Sequence, residues 1–98
     1  MVKHVIVWKL KEDLPDKDKV ISDIKRELEG LIGKIDGLIK MNILTEKLPS
    51  SSGDIMMDSL FSSETALKNY SVNPLHQSVA NTFVRPFIQT RLSFDFNE

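Results

Sequence analysis

The chain contains no cysteine, which excludes disulfide bridges, thiolate catalysis and zinc–thiolate centres. It also lacks a long apolar run. The opening VKHVIVWKL is short and carries lysines at both ends, so neither a signal peptide nor a transmembrane helix is read from it. Charge of one sign is missing as well: 13 Lys and Arg stand against 14 Asp and Glu, for a net charge of −1. With the lysines spread along the chain, no field draws nucleic acid or an anionic membrane surface. Only two histidines are present, and they and the scattered carboxylates have no metal-ligand spacing. The stretch SSSGD has no lysine after it in phosphate-loop register. No metal and no cofactor are therefore expected. What remains is 98 residues with 41% hydrophobic and 28% charged content, enough for one core. The expectation is a single domain over residues 1–98, soluble and cytoplasmic.

Hydrophobic patterning orders that domain. Residues 2–10 are β-branched and aromatic, and alternation puts Val2, His4, Ile6, Trp8 and Leu10 on one face. Val5 and Val7 make the other face apolar too, so this strand is expected to be buried on both sides. Residues 14–37 carry a helical stripe of Ile21, Ile24, Leu28, Leu31, Ile32 and Ile35. Asp16 or Asp18 suits the start of that helix, and Gly33 and Gly37 suit its close. Strands follow at 37–48 and 54–63, joined by the loop PSSSGD. A short helix from Ser63 to Tyr70 must break at Asn73, because Pro74 disfavours helical geometry in the residue before it. Asn73 as N-cap and Pro74 at the first helical position then start a second piece, PLHQSVANTFV. FIQTRLSFDF reads as the last strand. The order β-α-β-β-α-β predicts an α+β, ferredoxin-like fold with an antiparallel sheet. Helices cover one face of such a sheet. The other, with Val5 and Val7, needs a cover that a second copy supplies most simply, so a homodimer is expected.

The segments VKHVIVWKLKED, GKIDGL, DIMMDSLFSSETALKNY, NPLHQSV and LSFDF, in that order, resemble the stress-responsive dimeric α/β-barrel (Dabb) family over nearly the whole chain. The resemblance implies a dimer whose two sheets face each other to close a barrel. In a plant member that is a cofactor-free polyketide cyclase, the catalytic tyrosine falls on Tyr70 and the catalytic histidine on His76. Its strand-one histidine falls on His4, and an aspartate of its last strand on Asp95. The implied chemistry has His76 removing a proton α to a carbonyl, Tyr70 hydrogen-bonding the enolate oxygen and Asp95 orienting His76. Two positions depart from the pattern, and the first helix has only aliphatic residues on its inner face, with no tyrosine to line a tunnel. Asn73 stands where the family commonly has the first histidine of HPxH, and Trp8 stands where the cyclase has a smaller aliphatic residue.

Two functions are thus carried forward. One is a dimeric module binding a small aromatic or β-keto ligand in a pocket bordered by Tyr70, His76, His4 and Asp95, with Ile6 and Trp8 lining it. The other is a cofactor-free, cyclase-like enzyme using the first three roles named above. Each residue also has a structural alternative. His76, near a positive helix end that favours neutral imidazole, would otherwise only bond to backbone or Asp95. Tyr70 would otherwise be a core ring with its hydroxyl reaching water. His4 would be a satisfied strand residue. Trp8 decides most, because a ring of that size can stack on a ligand or fill the space a pocket needs.

Overall fold

The computed structural model describes residues 1–98. Four strands, β1 (Val2–Leu10), β2 (Leu38–Leu44), β3 (Ile55–Phe61) and β4 (Ile88–Asn97), form one sheet in the order β2-β3-β1-β4. Every neighbouring pair is antiparallel. Helix α1 (Lys17–Glu29) connects β1 to β2, while α2 (Glu64–Val72) and α3 (Pro74–Val79) connect β3 to β4. This is the expected ferredoxin-like arrangement. No helix is long and apolar enough to cross a membrane.

Local chemistry sets the helix limits. Asp16 caps α1 by accepting from the Lys19 amide at 3.1 Å. Ion pairs Lys19–Asp23, Asp23–Arg26 and Lys25–Glu29 sit at i,i+3 and i,i+4 spacing. The helix ends at Glu29, earlier than the glycines suggest. Gly33 and Gly37 both adopt φ of +81°, but in the turns that follow. Leu31 and Ile35 still enter the core from those turns, whereas Ile32 is exposed. The apolar stripe therefore outlasts the helix. Gly37 has a second reason to be glycine, since a Cβ there would lie 2.5 Å from Cβ of Ala66.

Ser63 caps α2 through the Ala66 amide at 3.0 Å. At Asn73 the backbone turns extended, and its Oδ1 accepts from the Leu75 amide at 2.9 Å, with Pro74 opening α3. The break thus falls where the sequence puts it. Beyond α3 the chain makes a π-helical turn over Ala80–Val84 and a 3₁₀ turn over Arg85–Phe87, where Pro86 ends helical bonding.

The core lies between the helices and one sheet face, built from Ile6, Trp8, Leu10, Ile24, Leu28, Ile43, Met57 and Phe61 among others. The opposite face is left uncovered within one protomer. Val5 is half-buried and Val7 is 36% exposed, because no second layer of this chain covers them. Leu92 and Phe94, their register partners on β4, are 69% and 70% exposed. The two sheet edges differ as well. On β2, Lys25 donates to the carbonyl of Ile43 and Glu29 accepts from its amide, both at 2.9 Å. That pair of side chains occupies backbone groups an edge strand would otherwise offer to another chain.

Candidate functional site

Register decides what meets on the helix side of the sheet. Antiparallel pairing places His4 opposite Asp95, Ile6 opposite Ser93 and Trp8 opposite Arg91. Alternation along β4 turns Arg91, Ser93 and Asp95 toward the helices and Leu92 and Phe94 away from them. Between this polar row and helices α2 and α3 lies an open cleft of about 970 Å³, with His4, Ile6, Trp8, Tyr70, His76 and Asp95 all in its wall. Trp8 is 4% exposed and packs within the core. It forms part of the wall and leaves the space open.

A run of rings leads into the cleft. His4 meets Phe61 edge-on with centroids 6.2 Å apart, Phe61 meets Tyr70 at 4.9 Å, and Tyr70 lies against His76 at 4.1 Å with the planes tilted by 32°. Helix geometry explains the last contact. Tyr70 sits in the last turn of α2, and the Asn73–Pro74 break swings His76 of α3 back over it. Tyr70 is 2% exposed. Burial is what acts on its phenol, raising the pKa and keeping the proton on. No protein group hydrogen-bonds that hydroxyl.

His76 is half-buried, and its Nδ1 is buried without a hydrogen-bond partner. Burial lowers its pKa below the ordinary histidine value. The backbone carbonyls of Ser71 and Tyr70 act in the opposite direction, and the positive charge of Arg85 reinforces the fall. The ring is therefore neutral at neutral pH. A neutral imidazole beside a protonated phenol offers one proton acceptor and one donor to the same small volume. An unpaired buried nitrogen such as Nδ1 of His76 costs about 1–3 kcal/mol, so its presence here is itself informative.

The expected partnership of Asp95 with His76 is not formed. Asp95 hydrogen-bonds His4 Nδ1 instead, because the β1–β4 register sets those two residues side by side. A carboxylate only accepts, so Nδ1 of His4 carries the proton. The carbonyl of His4 accepts from the fully buried Ser59 hydroxyl at 2.6 Å. His4 is thus held at both backbone and ring. Arg85, Arg91, Lys68 and Ser93 also line the cleft and were not singled out from the sequence. The alternation Gln89, Arg91, Ser93, Asp95 was the available signal for two of them. No group of three His, Asp or Glu side chains is arranged to hold a metal ion.

Solved structures with this architecture include a dimeric ferredoxin-like protein of unknown function from Bacteroides fragilis. It is 25% identical, with a TM-score of 0.89, over 99% of this chain and 95% of that one. A Dabb family protein from Mesorhizobium loti is 19% identical with a TM-score of 0.75, over 99% and 95% of the two chains. The hydroxynitrile lyase of Passiflora edulis is 18% identical with a TM-score of 0.81, over 97% and 90%. No curated protein matches the chain by sequence. The family model of the stress responsive A/B barrel domain, Dabb, matches residues 2–98, and the chain belongs to that family.

Proposed function

We propose that the protein is a homodimer in which each protomer binds a small aromatic or β-keto compound in the cleft beside Tyr70 and His76. The observation that carries the reading is the buried, unpartnered Nδ1 of His76 lying against a phenol that also lacks a partner. Water or a ligand oxygen in the cleft would satisfy both, and the stacked rings with Trp8 offer a planar compound apolar faces. The homodimer rests on the exposed Val7, Leu92, Phe94 and Phe96 of the uncovered sheet face, on the occupied edge of β2, and on the dimeric state named for the B. fragilis relative.

A second reading, cofactor-free proton transfer, has an observation of its own in the depressed pKa of His76. As a neutral base it would take a proton α to a carbonyl while Tyr70 donates to the enolate oxygen. Asp95 has no part in orienting that base here, so the reading rests on two residues. Trp8 is the sole tryptophan and reports on the cleft by fluorescence. Titration with resorcinol and acetoacetate esters should quench or shift its emission and move the ring resonances of Tyr70 and His76. Tyr70→Phe and His76→Ala should each weaken the response. Ring resonances unmoved by every compound would remove the binding reading. Exchange of α-deuterons from a bound keto ester, lost in His76→Ala, would support proton transfer. Sedimentation of the wild type beside Phe94→Asp tests the dimer, which the variant should dissociate.

A further inference from the structure

We infer that the compound held in the cleft carries an acid group, received by two arginines of its wall, Arg85 and Arg91. The inference rests on the ligand-binding reading above and adds the charge and orientation of the ligand. Five of the protein's cations, Lys3, Lys19, Lys25, Arg26 and Lys47, are paired with carboxylates. Arg85 and Arg91, both in the wall of the cleft, have no carboxylate partner, in a chain with more acidic than basic residues. Arg85 is nevertheless held in place. Its Nη1 donates to Oε1 of Gln77 at 3.0 Å and to Oδ1 of Asn81. Both anchors are neutral amides, so they orient the guanidinium without cancelling its charge. Arg91 stands beside Trp8 in the β1–β4 register, on the cleft side of β4.

The remaining charges of the cleft are Lys68, Glu64 and Asp95. Asp95 is engaged by His4 and lies four residues from Arg91 along the strand, about 13 Å away at the ordinary rise per residue. Arg91 therefore stands well apart from the His4–Asp95 pair. A guanidinium offers a planar fork of donors that matches a carboxylate. A ligand with its acid group at Arg85 and Arg91 and its ring or enol along Trp8 would bring a hydroxyl or keto oxygen toward Tyr70 and His76.

The test compares two acids with their neutral esters: 4-hydroxybenzoate with methyl 4-hydroxybenzoate, and acetoacetate with methyl acetoacetate. Trp8 fluorescence gives affinity and the Tyr70 and His76 resonances give location. At low salt each acid should bind roughly tenfold or more tightly than its ester, and added salt should narrow the gap. Arg91→Gln and Arg85→Gln should each reduce the preference, and Arg91→Lys should keep part of it, with melting curves showing that the variants are folded. Esters binding as tightly as acids, with both ring resonances moving, would overturn this inference and leave the ligand-binding reading standing. Acids that bind without moving those resonances would overturn it too, as contacts with surface arginines alone. Absence of binding by all four compounds would overturn both.

Discussion

Replacing Tyr70 by phenylalanine should make the protein more stable and its cleft less competent. The ring stays, and with it the edge-on contact to Phe61 at 4.9 Å and the stack on His76 at 4.1 Å. Only a hydroxyl with no protein partner is lost. A fully buried, unsatisfied hydroxyl costs about 1–3 kcal/mol. Because the Tyr70 ring lines an open cleft, part of that cost is relieved by solvent, and a gain of about 0.5–1 kcal/mol on substitution is the expected size. For a domain of this length that raises Tm by roughly 2–8 °C. Differential scanning calorimetry at matched protein concentration measures it, since dimerisation makes Tm concentration-dependent. Tyr70→Ala supplies the contrast: loss of the whole ring should cost about 3–5 kcal/mol through the cavity it leaves. A fall in Tm of several degrees for Tyr70→Phe would refute the reasoning, because it would mean the hydroxyl is engaged in holding the fold.

Three further outcomes follow from the same geometry. Gly37→Ala should destabilise the protein by about 3 kcal/mol or more, combining a left-handed backbone with a Cβ 2.5 Å from Ala66, whereas Gly33→Ala, at the same φ but facing open space, should cost only about 1 kcal/mol in denaturant titrations. The folded-state pKa of His76 lies below its ordinary value of 6.5. As pH falls through that value the unfolded chain takes up a proton that the native ring refuses, so stability drops, by at most about 1.4 kcal/mol per pH unit for one group. Unfolding curves of His76→Gln should be flatter than wild type over that window, and equal slopes would contradict the assignment. Asp95→Asn should shift the ring resonances of His4 far more than those of His76, and a larger shift at His76 would restore the partnership that the sequence suggested.

The fold was legible because its signals are local and agree with one another. The Asn73–Pro74 break, the Ser63 and Asp16 caps and the alternation of β1 each depend on a few adjacent residues, and each appears where the chain chemistry puts it. The close of α1 was less legible. Gly33 and Gly37 carry the positive φ that closes a helix, yet here that geometry serves the turns that carry Leu31 and Ile35 back to the core. The face of β1 holding Val5 and Val7 was legible as apolar, but what covers it was not. Apolar composition shows that a surface will be covered, but not whether the same chain covers it. For the site, residue identity was legible through likeness to the family, whereas pairing was not. Asp95 and His76 are 19 residues apart and His4 and Asp95 are 91 apart. Only the register of two strands from opposite ends of the chain assigns the carboxylate to one histidine over the other.

That same register makes β4 serve two surfaces at once. Odd-numbered positions Arg91, Ser93 and Asp95 face the helices and give the cleft its polar wall, while Leu92, Phe94 and Phe96 face outward beside Val7, Val5 and Lys3. A slip by one residue would put three apolar side chains into the cleft and three polar ones on the uncovered face, and so would spoil both surfaces together. The strand is an edge strand with little packing of its own, exposed at nearly every position. Its hold comes from the ladder with β1 and from the His4–Asp95 hydrogen bond near its end. His4 in turn is fixed through its carbonyl by Ser59 of β3. The histidine–aspartate pair therefore has a physical role that does not require it to touch a ligand: it locks the register on which the cleft and the uncovered face both depend. Tyr70 and His76, held by the broken helix on the other side of the cleft, are left free of any such duty. That division of labour leaves the Tyr70 phenol and Nδ1 of His76 as the groups with hydrogen-bonding capacity to spare.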